Sequence, residues 1–195
     1  MSKGVPKDKK LIRVPSHLVA ELTRASNTEG KSFYDFTTES LEQAVKAHNM
    51  GKSLREIVDF YELMEMQRAS GAVITPKDLL NYLISKLYPK EKEALQQKWY
   101  ESGRWYGKYL DAKLRGRDAV EVFGRILSAS RWDLNEVNVE RKEKRVTLRC
   151  VSFTLSLENT ELLVRFLEGV MHSFGYETKK LDFVRGMITM EFARA

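Results

Sequence analysis

Cysteine is nearly missing from this chain: Cys150 is the single one. One thiol excludes an intramolecular disulfide and any cysteine-rich zinc or iron–sulfur site, and it is compatible with a reducing cytosol. Histidine is scarce too. His17, His48 and His172 stand far apart and in no ligand spacing such as HExxH, so each reads as a surface or packing residue and no metal is expected. No apolar run approaches the ~18–20 residues of a membrane span, and the charged N-terminal stretch lacks the apolar core of a secretion signal. A cytoplasmic location without a membrane partner is the expectation. With 43% hydrophobic residues in 195, the chain can bury a core, which excludes wholesale disorder.

Catalytic constellations are absent as well. There is no Gly-rich phosphate loop: Gly103 and Gly107 lie within a helical pattern at i, i+4, where they suit close helix packing. Cys150 sits in a strand pattern with no positioned base and reads as inert core. No pair of carboxylates is singled out by an apolar setting. The expectation is a protein that is not an enzyme, with no catalytic residues and no cofactor.

What is present is an uneven charge. The net of +6 is modest, but residues 1–13 hold Lys3, Lys7, Lys9, Lys10 and Arg13 against Asp8 alone. Residues 98–117 hold Lys98, Arg104, Lys108, Lys113, Arg115 and Arg117 against Glu101 and Asp111. A basic cluster by itself is a solvated face. In the second cluster Trp99, Tyr100, Trp105, Tyr106 and Tyr109 interleave with the basic residues. Such a mixture can stack bases, yet the helix falls in the body of the C-terminal module. Trp99, Tyr106 and Leu110 are therefore expected in its core, with the basic side chains wet.

Along the chain, Leu11-Ile12-Arg13-Val14 reads as a short strand stopped by Pro15. Ser16 suits an N-cap for a helix that carries Leu18, Leu22 and Ala25 and ends at Gly30. Ser32 can cap a second helix with Phe33, Thr37, Leu41 and Val45 on one ridge. Some 40 residues bury too little surface to fold alone, and a lone short strand leaves its backbone unpaired. A twofold dimer in which the two strands pair satisfies both needs. Gly51-Lys52-Ser53 then opens a third helix with Leu54, Ile57, Val58, Tyr61 and Met64 along a stripe, which suits either ordinary packing or the spacing of a dimer. A fourth begins at Thr75-Pro76 and is expected to close at Pro89. From there the pattern reads helix (about 91–114), helix (118–129), hairpin around Lys142-Glu143-Lys144, helix (160–174), and a last hairpin around Arg185-Gly186. The fold class is α+β with an antiparallel sheet. The expected divisions are 1–50, a helical linker or dimerisation segment 51–89, and an α+β module 90–195.

Two resemblances attach to these residues. Lys9 to Leu18, the helix ending at Glu29-Gly30-Lys31-Ser32 and the following amphipathic helix resemble the ribbon-helix-helix DNA-binding domains of the Arc, MetJ and CopG repressors, over about a fifth of the chain. The resemblance implies a two-stranded ribbon in the major groove of double-stranded DNA, with Lys9, Leu11 and Arg13 facing the bases and Ile12 and Val14 facing the helices. It also implies a phosphate held at the start of the second helix, near Lys31, Ser32 and Phe33. Lys3 and Lys7 on the preceding arm add phosphate attraction. An apolar reader such as Leu11 can contact a thymine methyl. More loosely, residues of about 91–192 resemble the 4-vinyl reductase-type domain, on Gly103-Arg104…Gly107, Arg131-Trp132 before Val137 and Val139, and Phe166-Leu167-Glu168-Gly169. That family implies a small α+β sensor fold. Its C-terminal cysteine cluster has no counterpart between Phe183 and Phe192, and a shared fold does not transfer an activity.

The favoured expectation is a homodimeric DNA-binding transcriptional regulator whose C-terminal module senses a small apolar ligand or strengthens oligomerisation, up to tetramers. One alternative is an architectural or partition-type DNA binder with little base preference. Another is a small-molecule-binding protein or enzyme whose N-terminal unit only dimerises. An obligate dimer is the first testable consequence. Sedimentation equilibrium should show no folded monomer at micromolar concentration, and Ile12→Pro should block strand pairing and melt the N-terminal unit.

Overall fold

The structure, a computed structural model, describes residues 10–114, 116–130 and 133–194. Its backbone divides into two compact units between Asp59 and Phe60. The first holds helix α1 (Ser16–Thr28), helix α2 (Phe33–Asn49) and the start of helix α3 (Leu54–Ala69). The second holds the rest of α3, helix α4 (Lys77–Leu114), helix α5 (Ala119–Ser130), strands β1 (Glu136–Lys142) and β2 (Arg145–Val151), helix α6 (Leu157–Ser173), and strands β3 (Tyr176–Val184) and β4 (Met187–Arg194). Most of the segment 51–89 thus packs with the C-terminal module.

In the first unit, α1 ends where Gly30 turns to φ 65°, and Ser32 caps α2 by accepting the Asp35 amide at 3.0 Å. Ser16, expected as the N-cap of α1, is instead its first residue. Pro15 precedes it with extended ψ 139°, and the Pro15 carbonyl accepts the Leu18 and Val19 amides. The segment 11–14, expected as a strand, carries no ladder in the single chain, and Ile12 and Val14, expected against the helices, are exposed.

The second unit is α+β. Its four strands form one antiparallel sheet in the order β1-β2-β4-β3. Alternation puts Val146, Leu148 and Cys150 of β2 directly opposite Phe192, Met190 and Ile188 of β4, and all six are buried on one face. Helices α5 and α6 bring Phe123, Ile126, Leu127, Leu163, Leu167 and Val170 onto that face. Both hairpins turn on two residues: Glu143 has φ 51° in the first and Gly186 has φ 73° in the second. Helix α6 starts at Leu157, earlier than the expected 160, because Ser156 caps it through the Asn159 amide at 3.2 Å.

The break expected at Pro89 is present: the backbone leaves helical geometry at Glu91, where φ is −125° and ψ 27°, so α4 is two helices joined at a kink. The proline removes one backbone donor and crowds the preceding turn. Both sides of the kink pack into one cluster: Ile84 and Tyr88 seat against Leu162 of α6, and Leu95 and Trp99 join them.

Helices α4 and α6 lie in backbone contact. A Cβ on Gly103 would stand 2.1 Å from the Phe166 carbonyl oxygen, and one on Gly169 would stand 2.2 Å from that of Tyr100. One on Gly107 would meet the Val170 carbonyl oxygen at 2.9 Å. The i, i+4 glycines serve close packing, as their spacing suggested. Gly103→Ala should therefore cost about 3 kcal/mol or more, since backbone cannot yield as a side chain can. Gly175→Ala is the matched control, with φ 80° and open space around it. It should cost only about 1 kcal/mol of left-handed strain in the same urea titration.

Candidate functional site

The residues expected to meet DNA fall in the first unit. Lys3, Lys7 and Lys9 lie outside the described residues. Leu11 is 99% exposed and Arg13 is exposed as well, so neither is committed to a core. Ser32 and Phe33 stand at the start of α2, where backbone amides point out of the helix end. Two features there were not legible in the sequence. The Ser32 hydroxyl donates to the Asp35 carboxylate at 2.6 Å, placing a negative group beside the helix end. The Lys31 ammonium pairs with Glu39 at 2.5 Å and Glu29 at 2.9 Å, and these two carboxylates, Glu39 foremost, raise its pKa well above the ordinary lysine value. A phosphate at this end would have to compete with both. Among the described members of the set, Leu11 and Arg13 remain uncommitted.

The second unit contains an aromatic pocket of about 260 Å³. Its apolar wall is Trp105 and Tyr106 of α4, Phe123, Ile126 and Leu127 of α5, and Phe166 of α6. The opposite wall comes from the end of α3 and the turn that follows, with Gln67, Ser70, Gly71 and Ala72. Gln67 is held there by its amide, which donates to the Ser130 hydroxyl at 3.0 Å. Tyr106 is the hub. Its ring lies 5.8 Å from Phe166, 6.3 Å from Phe123 and 6.4 Å from Tyr109, all tilted. The residue is 6% exposed, and its hydroxyl has no hydrogen-bond partner among the described residues. Burial drives the Tyr106 pKa well above the ordinary tyrosine value, with Tyr109 adding to it, so the group stays a neutral donor. Tyr106 and Leu110 are in the core as expected, Trp99 joins the Leu162 cluster, and Trp105 is half-exposed, stacked on Tyr109 at 5.8 Å.

A second, polar cleft lies where α6 meets β3. Tyr100 and His172 Nδ1 are 3.0 Å apart, and His172 Nε2 and Thr178 Oγ1 are 2.9 Å apart. Thr178 donates onward to Glu168 at 3.0 Å, and Arg165 Nη1 donates to the same carboxylate at 2.7 Å. With the threonine donating to Glu168, the histidine donates from Nε2 and accepts the tyrosine proton at Nδ1. Every group in the row is satisfied, so the row ties α4, α6 and β3 together and calls for no ligand. Among the described residues no group of three or more His, Cys, Asp or Glu side chains is placed to hold a metal ion.

A further polar cluster pins the bend of α4 to α6. Glu161 receives Lys92 at 2.7 Å, Gln96 at 3.0 Å and the Tyr88 hydroxyl. Burial works against its charged form, but Lys92, Tyr88 and Gln96 together outweigh it and hold the carboxyl below the ordinary glutamate value. Tyr88 is raised above its ordinary value by burial and by the Glu161 carboxylate.

No family model matches the chain, and no curated protein does. Among solved structures, one described as "Probing the function of heme distortion in the H-NOX family" is similar at 16% identity and a TM-score of 0.39, over 71% of this chain and 86% of that one. A likeness of that degree carries neither fold nor ligand across. Among the described residues no helix is long and apolar enough to cross a membrane.

The Glu161 cluster yields a pH dependence. A carboxyl whose folded pKa is depressed stabilises the fold above its unfolded pKa, and that stability is lost as pH falls through the folded value. Glu161→Gln should therefore lower the melting temperature above about pH 5, and the gap to the unaltered protein should close below about pH 4. Thermal melts across that range check both limbs.

Proposed function

We propose that the protein is a dimeric DNA-binding regulator, with the ribbon of its first unit in the major groove and a small-molecule sensor in its second. The observation that carries the reading is the poverty of the first unit's own core. Up to Asp59, only Ser26 and Ala47 are buried among the described residues, while Ile12, Leu41 and Val45 are 65%, 48% and 60% exposed. Two helices holding one small buried residue each cannot offset the conformational entropy of ordering them. A second copy would cover the apolar faces and pair the segment 11–14 in one step. The ribbon then presents Leu11 and Arg13 on its outer face, and Lys9 by the period of two.

The sensor half of the reading is supported by the aromatic pocket, whose size and lining suit a small, largely apolar molecule. A cytoplasmic location and the absence of enzymatic activity belong to the same reading.

Selection of bound fragments from random duplex DNA tests binding and specificity together. Recovery of a defined, twofold-symmetric motif is expected; recovery of no sequence above background at low salt would defeat the reading. Arg13 sharpens the test. An arginine on the outer strand face can donate two parallel hydrogen bonds to guanine. Arg13→Ala should cost about 1–3 kcal/mol at the selected site and relax preference at one position, with the melting temperature unchanged. Lys3→Ala or Lys7→Ala should instead weaken binding to all sequences alike and reduce the salt slope by up to about one unit. A melting temperature lowered by Arg13→Ala, with DNA affinity unchanged, would make Arg13 a structural residue.

A further inference from the structure

The tip of the β1–β2 hairpin, the end of β4 and the turn between α4 and α5 meet at one corner of the second unit. Lys142 stands opposite Arg145 in the hairpin, Arg145 stands opposite Ala193 of β4, and the Arg194 amide donates to the Lys144 carbonyl at 2.9 Å. Asp118, just before α5, accepts from the Arg141 guanidinium and so brings Arg117 to the same corner. Arg117, Arg141, Lys142, Lys144, Arg145 and Arg194 are all exposed. The carboxylates in these segments are Asp118, engaged by Arg141, and Glu143 at the hairpin tip. A step along the sheet, Glu140, Glu177 and Glu191 pair instead with Arg149, Lys179 and Lys180. Among the described residues, the cations of the corner other than Arg141 make no ion pair. The sequence showed only Arg117 in a basic cluster; folding adds the hairpin's cations and Arg194.

Like charges held this close repel one another, a cost that an opposing anion removes. The corner also lacks an apolar anchor: no large hydrophobic residue is exposed in 116–118, 141–145 or 193–194. Protein interfaces centre on an apolar core, and membrane-surface segments insert apolar side chains. A purely cationic surface suits a repeated anion bound by charge alone. We propose that this corner binds the phosphate backbone of duplex DNA without regard to sequence, its arginines donating to phosphate oxygens and its lysines acting as point charges. The choice of DNA rests on the regulator reading above. To that reading the corner adds a second contact, which carries affinity and no base preference.

The test uses the full-length chain and a labelled duplex of unselected sequence, with fluorescence anisotropy read from about 50 to about 200 mM salt. The combined variant Lys142→Gln, Lys144→Gln, Arg145→Gln should reduce the salt slope by about two to three units and weaken binding about tenfold or more. Its melting temperature should stay within about 2 °C of the unaltered chain, because all three positions are exposed. Removing as much charge at the start of α4, with Lys77→Gln, Lys86→Gln and Lys90→Gln, should change the slope by less than about one unit. The motif selected from random duplexes should be the same for the hairpin variant as for the unaltered chain. An unchanged slope in the hairpin variant, an equal loss in the α4 variant, or binding to phosphatidylserine vesicles with none to duplex would each overturn the proposal. The two readings fail separately. A recovered motif with a slope indifferent to the hairpin variant would refute the corner and leave the ribbon. Duplex binding that the hairpin variant weakens, with no motif recovered, would refute the ribbon and uphold the corner.

Discussion

The close crossing of α4 and α6 is the constraint on which the second unit depends. Gly103, Gly107 and Gly169 let two backbones approach to distances that no Cβ would tolerate, and the rest is hung on that approach. Toward the start of α4 it brings Tyr88, Lys92 and Gln96 onto Glu161. At the crossing it brings Tyr100 onto His172. One turn further on it places the Tyr106 ring against Phe166. Three chemically different contacts thus share one geometric cause. A larger residue at any of these glycines would push the helices apart and loosen all three together.

Much of this unit was legible in its sequence, for reasons of periodicity. Strands β2 and β4 alternate strictly, so Val146, Leu148 and Cys150 and their partners Phe192, Met190 and Ile188 declared their face before any pairing was known. The glycine spacing in α4 named a packing surface, although not its partner. Pro89 marked the kink at Glu91, because its effect on its own helix is unfavourable. What failed was finer punctuation. Ser16 reads as a cap, but Pro15 already supplies the extended residue and its carbonyl accepts the first amides. That outcome is local, set by residues 15–19 alone.

The two units solve the stability problem in opposite ways. The second covers a sheet face with α5 and α6 and buries more than twenty apolar side chains in one cluster. The first buries Ser26 and Ala47 and leaves many of its larger apolar residues exposed, Leu41 and Val45 among them. Burial of apolar surface is the dominant favourable term in folding, and the first unit has far less of it to draw on. The sequence pattern could not anticipate the acidic company of the α2 start, because Glu39 reaches Lys31 only when α2 is formed and Asp35 turns back to Ser32 only when that residue caps it.

The pocket was not legible at all as a pocket, and the physical reason is instructive. Trp105, Tyr106 and Tyr109 announced an aromatic helix, and the core expectation for Tyr106 held; whether its hydroxyl would find a partner depends on atoms far away in the chain. Phe123 and Phe166 surround the ring with carbon, and Tyr109, whose own hydroxyl is buried and unpartnered, offers no relief. An unsatisfied donor of this sort costs on the order of 1–3 kcal/mol. In a unit built like the first, such a cost would consume the margin of stability. The second unit tolerates it because its sheet-and-helix core, drawn together by the glycine crossing, is large enough to hold Tyr106 where its hydroxyl does the fold no good.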